Sequence, residues 1–378
     1  MIPIVRPIID DEEVAAVTEV LKSRMLAEGK VSREFESDFK EYVGTKFATV
    51  TSNGTTALST ALDALEIGPG AEVITTPFTF IASANTITMA GAIPVFVDVK
   101  KDTYNIDPDL IEKAITKKTQ AIMPVHIFGM PCEMPTIMEI AEKHDLLVIE
   151  DACQAHGATI NGKQVGSFGH VAAFSFYATK NMMTGEGGIV TTDDEDLYDR
   201  MLMIKNHGRG KEGGYNHYRV GYNYRMMDLV AAIGIQQLKR LPDVVRAHKA
   251  NARKYDDFLS RFDSVHPQFA GDGIESSYHV YAPRLYSEKT DRDTLIQKLN
   301  ENGIASRSVY ALPCHKQRTY QDISNWKWAK FVDYPDYSSM TLPNSEEIGK
   351  IHFQLPVHPG VDESAMEQIL SVLERLIS

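Results

Sequence analysis

Between residues 47 and 192 the chain repeats one pattern: a short run rich in Val, Ile and Phe, then a stretch with helical spacing. The runs are 47–51, 72–75, 94–99, 121–126, 146–150, 172–177 and 188–192, and most lack polar alternation. A strand with one wetted face alternates apolar and polar residues, whereas a strand covered on both faces is apolar throughout. Such runs, joined by helices, predict an α/β fold with a mainly parallel sheet between helical layers. Connecting helices are expected over 55–65, 81–90 and 109–116. Ahead of them, Asp10 and Glu13 have capping-box spacing, and Val14, Val17, Val20 and Leu21 share one face of a helix that Gly29 breaks.

The pattern changes after Asp228. A long helical stretch meets Pro242 and resumes beyond it. Proline lacks the N–H and crowds the preceding turn, so a kink or a division is expected there. A strand is expected at 278–286, a helix at 293–303 closed by Gly303, and a last helix from Asp362. These elements mark a smaller α+β C-terminal domain, 242–378, after a large domain, 1–241.

Composition removes several classes of function. With 43% hydrophobic and 24% charged residues the chain has enough apolar surface to fold, so disorder is excluded as its main state. A net charge of −12 disfavours nucleic acid and anionic membranes as partners. Cys132, Cys153 and Cys314 lack metal-ligand spacing, so no metal site is expected; they fit a reducing compartment. The N-terminus, with a short apolar run followed by acidic residues, does not read as a signal peptide, and no apolar run is long enough to span a membrane. A cytoplasmic protein is expected.

Three features carry chemistry in combination. Ser52-Asn53-Gly54-Thr55-Thr56 follows a strand and opens a helix, where free N–H groups can hold an anion; an ordinary capped turn is the alternative. Asp151 follows a buried strand, at the end where open α/β sheets bind ligands, or else it merely caps the next segment. Lys180 stands just past another strand in SFYATKNMMTGEGG, as a Schiff-base nucleophile or as a plain surface lysine. Together they form the layout a pyridoxal phosphate (PLP) site requires: a helix N-terminus for the phosphate, a carboxylate for the pyridinium and a lysine for the aldehyde.

The chain resembles the DegT-like (DegT/StrS-type) nucleotide-sugar aminotransferases of PLP fold type I. The resemblance runs through SNGTTAL, TPFTFIASAN, GAIPVFVDV, VIEDACQAHGA, FSFYATKNMMTGEGG, GYNYRMMDLVAAIGIQQL and LPCHKQRTY. It implies a glutamate-dependent transfer of an amino group to a nucleotide-linked keto-sugar in polysaccharide biosynthesis, with pyridoxamine phosphate (PMP) as the intermediate cofactor form. Lys180 would bind the cofactor's aldehyde, Asp151 its ring nitrogen and Gln154 its 3-hydroxyl. Phe80 would stack on the ring, unless it is a core phenylalanine. Gly54, Thr55 and Ser175 would hold the phosphate. Asn223 would reach the phosphate in the neighbouring subunit, making a homodimer with shared sites obligatory. His315 would lie on the substrate side. Ala178 replaces a proline common in relatives, which implies a looser turn before Lys180. Cys153 and Cys314 are expected to be small buried fillers.

The stretch from Lys205 to Arg225 adds Arg209, Lys211 and Arg219 against a single acid, Glu212, a charge of +4 in a chain of −12. Lys205, Arg209 and Arg219 are expected to cover an anionic diphosphate; a solvated mobile loop is the alternative. Two other functions share the fold. Sugar dehydratases that resemble this family carry histidine in place of the lysine, and some hold an iron–sulfur cluster. A non-catalytic regulator would have no need to keep Lys180, Asp151 and the phosphate turn together.

Overall fold

The computed structural model describes residues 1–212, 214–269 and 271–378, and it joins the apolar runs into one seven-stranded sheet. The strands are β1 Phe47–Thr51, β2 Glu72–Thr75, β3 Ile93–Phe96, β4 Thr119–Met123, β5 Leu147–Asp151, β6 Val171–Ser175 and β7 Gly188–Thr192. Their spatial order is β1-β7-β6-β5-β4-β2-β3. Only β7 is antiparallel to its neighbours, so all the other strands end at one edge of the sheet. The runs expected at 94–99, 121–126 and 172–177 outlast their ladders because Val97, Val99, Val125 and Phe176 stay buried after the chain leaves the sheet.

The longer helices are α1 Asp11–Ser23, α2 Lys30–Val43, α3 Gly54–Ala64, α4 Ala82–Met89, α5 Pro108–Ala114, α6 Met134–His144, α7 Glu195–Lys205, α8 Asp228–Leu259, α9 Arg292–Glu301, α10 Pro343–Ile351 and α11 Glu363–Ile377. They explain why the strands are apolar throughout. In β6, Ala172 and Phe174 pack with Phe35 and Phe39 of α2 and Ile235 and Leu238 of α8. The intervening Val171 and Ala173 pack with Leu58 and Leu62 of α3 and Met201 of α7 on the other face. None of the helices among the described residues is long and apolar enough to cross a membrane.

Three expectations need correction. First, α8 runs through Pro242 undivided. The proline forfeits the hydrogen bond to Leu238, a cost of about 3 kcal/mol in a helix interior. On either side, however, Leu238, Leu241 and Val245 pack on the sheet cluster, and Ala252, Tyr255 and Leu259 pack in the C-terminal cluster. Each large side chain buried contributes about 1.5–3 kcal/mol, so packing outweighs the missing bond. Second, of residues 278–286 only Arg284–Leu285 form a strand, and Tyr278 takes a left-handed φ of 48° that an extended strand does not allow. Third, α1 ends at Arg24, which is left-handed at φ 61°, and Gly29 instead caps α2. Its supposed apolar face is open, with Val14 57% and Leu21 53% exposed; Glu13 and Val20 are the buried residues. Glu13 accepts hydrogen bonds from the Asp10 N–H at 2.9 Å and from Gln237 Nε2 at 2.8 Å.

Residue 242 thus lies within a helix, and contacts cross it in both directions. Ile2 pairs with Ile304 and packs on the C-terminal cluster, while Cys314, Tyr320 and Tyr337 return to pack on Ile93 and Phe96 of β3.

The start of α8 also holds the start of α2. The Asp228 carboxylate accepts the N–H groups of Gly29 at 2.8 Å, Val31 at 3.2 Å and Ser32 at 2.9 Å, and the Ser32 hydroxyl at 2.6 Å. These are first-turn donors with no partner inside the helix. Asp228→Ala leaves them unsatisfied in a buried place and should cost about 3 kcal/mol or more. Urea unfolding followed by circular dichroism should show the midpoint falling; an unchanged midpoint would mean that water replaces the carboxylate freely.

Candidate active site

The shared edge of the parallel strands gathers the site. At the end of β1, Asn53 caps α3: its Oδ1 accepts the Thr56 N–H at 2.9 Å, and Thr56 Oγ1 accepts the Asn53 N–H at 3.1 Å. Asn53, Gly54, Thr55 and Thr56 line a cavity of about 710 Å³. A Cβ at Gly54 would stand 2.7 Å from Ser175 Cβ, so only glycine lets the turn close on the end of β6.

Asp151 ends β5. Its Oδ2 accepts the Ser83 hydroxyl at 2.7 Å, and its Oδ1 accepts the Cys153 N–H at 3.2 Å. Ser83 lies three residues after Phe80, in the first turn of α4. Gln154 accepts the Phe128 N–H on Oε1 at 3.2 Å, leaving Nε2 on the side of the Tyr310 hydroxyl, 3.4 Å away. Phe80 is 57% exposed at the cavity, whereas Phe78 is the core phenylalanine of the pair.

Lys180 stands in the turn beyond β6, where its N–H donates to the Tyr177 carbonyl at 2.8 Å. The Ala178 N–H donates to the Gly185 carbonyl at 3.0 Å, a bond that proline cannot make, so the turn is closed rather than loose. Burial holds the Lys180 ammonium below the ordinary lysine pKa, against the opposing pull of Cys153 and Asp151. His156, also pushed down by burial and by the charge of Lys180, to about 3, is neutral.

Gly54, Thr55, Phe80, Asp151, Gln154, Ser175 and Lys180 all line the one cavity. With them are residues not foreseen: Ser83, Tyr177, Glu186, His279, Arg307 and Tyr310. The last three come from beyond the parallel strands, where no repeating pattern marks them. Cys153 is no buried filler, since it also lines the cavity; Cys314 is buried. The donor set fits PLP: a helix N-terminus that a Cβ would obstruct, a fixed carboxylate and a lysine whose pKa burial lowers. No group of three or more metal-ligating side chains occurs among the described residues.

The residues expected on the substrate side do not join this chain's cavity. His315 is fully buried, with Nε2 3.1 Å from Glu346 Oε1. Lys205 is 2% exposed, and its ammonium lies 3.0 Å from Glu28 and 3.1 Å from Glu36, so two carboxylates have taken the charge expected for a diphosphate. Arg209 bonds the Gly214 carbonyl and covers the Tyr215 ring, and Arg219 lies 3.4 Å from Glu66. Asn223 is exposed and pairs by its backbone with Asn206.

Gly54→Ala tests the anion cradle. The methyl must displace Ser175 or the turn, so the affinity for added PLP should fall about tenfold or more, at a cost typical of overpacking. Equilibrium titration by cofactor absorbance measures it, and unaltered affinity would mean the turn does not hold the phosphate.

Comparison with known proteins agrees with this geometry. The model of the DegT/DnrJ/EryC1/StrS aminotransferase family matches residues 7–374. GDP-perosamine synthase of Caulobacter vibrioides is 38% identical over 380 residues, covering 100% of this chain and 98% of that protein. The spore coat polysaccharide biosynthesis protein SpsC of Bacillus subtilis is 36% identical, covering 100% of this chain and 97% of that one. Among solved structures, Spr1654 of Streptococcus pneumoniae in its PLP form superposes with a TM-score of 0.87 at 29% identity over 100% of both chains. The chain belongs to the DegT/DnrJ/EryC1/StrS aminotransferase family and is a PLP-dependent aminotransferase.

Proposed function

We propose that this aminotransferase moves the amino group of glutamate to the keto carbon of a nucleotide-linked deoxy-sugar for polysaccharide biosynthesis. The observation that carries the proposal is the meeting of Lys180, Asp151 and the N-terminus of α3 in one cavity. That cavity shares Phe80, Arg307 and Tyr310 with an open neighbour of about 500 Å³, room for a substrate larger than an amino acid. The similarity to a GDP-perosamine synthase and to a polysaccharide biosynthesis protein favours a sugar nucleotide.

When bound, PLP supplies an aldehyde that captures amino groups and a ring that withdraws electrons from the reacting carbon. The other roles belong to the chain. Gly54, Thr55 and Ser175 hold the phosphate. Asp151 keeps the ring nitrogen protonated, and Ser83 holds Asp151. Gln154 Nε2 donates to the 3-hydroxyl, and Phe80 covers one face of the ring. Lys180 anchors the aldehyde and, once freed as a neutral amine, carries the proton away from the amino donor's α-carbon.

The enzyme acts in the cytoplasm as a homodimer in which Asn223 of one subunit completes the phosphate site of the other. Exposed Met25, Tyr215, Tyr218, Val220 and Met227 support a second copy on that side. The PLP-binding domain, 1–241, and the smaller domain, 242–378, meet along α8.

Two outcomes follow. Because Lys180 must be neutral to take a proton, the glutamate half-reaction should speed up with pH through its depressed pKa and then level off. Single-turnover spectra across pH read this, and a rate still climbing near the 10.5 of a free lysine would contradict it. Lys180→Ala and Asn223→Asp should each be inactive, the second because a carboxylate faces the phosphate. Mixed under subunit exchange, they should regain part of the activity, since one site of the hybrid carries neither lesion. A mixture that exchanges yet stays inactive, or an active monomer in sedimentation, would sink the shared site.

A further inference from the structure

The first residues of the chain, 2–8, belong to no helix and pair at a single bridge, Ile2 with Ile304, yet they reach the active site. Both ends of the stretch are fastened. The Ile2 N–H donates to the Gly303 carbonyl at 2.7 Å, and the Ile2 carbonyl accepts the Ala305 N–H at 2.9 Å. His358 Nε2 lies 2.9 Å from the Pro3 carbonyl, while its Nδ1 accepts the Gly360 N–H at 3.1 Å, so the proton sits on Nε2 and is donated to Pro3. At the other end Gln237 Nε2, on α8, donates to the Ile8 carbonyl at 2.8 Å. Between these points residues 4–8 and the turn of Lys180 line a space of about 30 Å³, room for about two water molecules. Val5 reaches further. Together with Thr179, Lys180 and His279 it borders both this space and the cofactor cavity, so its side chain stands beside the lysine where the two spaces meet.

The groups around Lys180 differ on its two sides. On the cavity side stand Asp151, Cys153, Glu186, Arg307 and the hydroxyls of Tyr177 and Tyr310. Behind it stand His248, His279, His358 and Arg6. Burial holds these three histidines below their ordinary range, His248 at about 4, and it does the same to His156. Near neutral pH the imidazoles are therefore uncharged and do not offset an ammonium. What would solvate an ammonium on that side is water, and Val5 fills the place where the two spaces would otherwise join. We propose that residues 2–8 form a strap that closes the cofactor cavity beside Lys180, and that Val5 is a positioning residue that keeps water from the lysine amine. The proposal rests on the role of Lys180 given above. A neutral amine can take a proton and an ammonium cannot, so a wall that withholds water favours the working form. The strap is fastened through its backbone, which leaves the side chain at position 5 free to serve the cavity.

The experiment reads the charge at Lys180 rather than turnover. In the PLP-loaded enzyme the absorbance of the Schiff base reports its protonation, and a pH titration gives a midpoint. Single-turnover rates with glutamate across pH give a second midpoint. Val5→Ser, smaller and able to hold a water, should move both midpoints up by about one pH unit, because hydration favours the charged form. Val5→Asp sets a carboxylate beside the nitrogen and should move them further up. Val5→Ile keeps the wall apolar and should match the wild type. Urea unfolding of each variant reads stability separately. If Val5→Ser changes stability or rate while both pH midpoints stay at the wild-type values, Val5 only packs and the inference is wrong. It is equally wrong if Val5→Ile moves the midpoints as far as Val5→Ser. Schiff-base absorbance that survives Lys180→Ala would instead overturn the role of Lys180 itself.

Discussion

Two adjacent carboxylates at the end of β5 have opposite tasks, and the pleat of the strand separates them. Glu150 points away from the cavity and is fully buried. It accepts the N–H groups of Gly166, Phe168 and Gly169, each at 2.7 Å, and lies 3.1 Å from His126 Nε2. Burial alone would raise its pKa, but these partners prevail and hold it below the ordinary glutamate range. His126 Nδ1 accepts the Cys132 N–H at 3.0 Å, so the proton sits on Nε2 and is donated to Glu150. One carboxylate thereby fastens β5, the turn at 166–169 and the loop at 126–132 to one another. With Glu150 fixed on one face, Asp151 has to project on the other, into the cavity.

What surrounds that cavity sets its chemistry. Ser83 and the Cys153 N–H orient the Asp151 carboxylate without pairing it to a cation. At Lys180 burial outweighs the pull of Cys153 and Asp151. The His156 ring behind it packs on Phe174 and Phe176 at 5.4 and 5.6 Å and has no hydrogen-bond partner on either nitrogen. Removing water from an amine disfavours its protonated form, which suits a group that must take a proton. The fold builds this poor solvation from the same apolar residues that cement the sheet to α2 and α8.

Left-handed backbone at aromatic residues marks the opposite wall. Phe128 at φ 58° and Tyr310 at φ 61° stack with their rings 10° from parallel, and Phe78 meets both edge-on. Bulky residues rarely adopt this conformation unless packing compels it, and such strain collects at functional sites. Here the packing presents the Phe128 N–H to Gln154 and the Tyr310 hydroxyl to the cavity.

Periodicity alone was enough to reveal the sheet, because strands buried on both faces can contain only apolar residues, and all seven runs joined it. The phosphate turn, Asp151 and Lys180 were legible for a related reason: in a parallel sheet, chemistry follows the strand ends, and strand ends show in the sequence. Pairings across the chain left no such trace. Nothing local to Pro242 announces that packing on both sides will carry a helix through it. Nor does the charge of Lys205 announce that Glu28 and Glu36 will bury it, although its neighbours in the chain suggested an exposed basic loop. Ser83 reaches the cavity because α4 sets its first turn against the end of β5, and Arg307 and Tyr310 because the C-terminal chain folds back onto that edge. The sequence by itself determined which segments must be buried and where strands deliver their last residues, since both depend on neighbours in the chain. Only the tertiary structure decided which charges remain available to a substrate, since a charge is taken up or left free according to partners distant in the chain, as Glu28 and Glu36 are from Lys205.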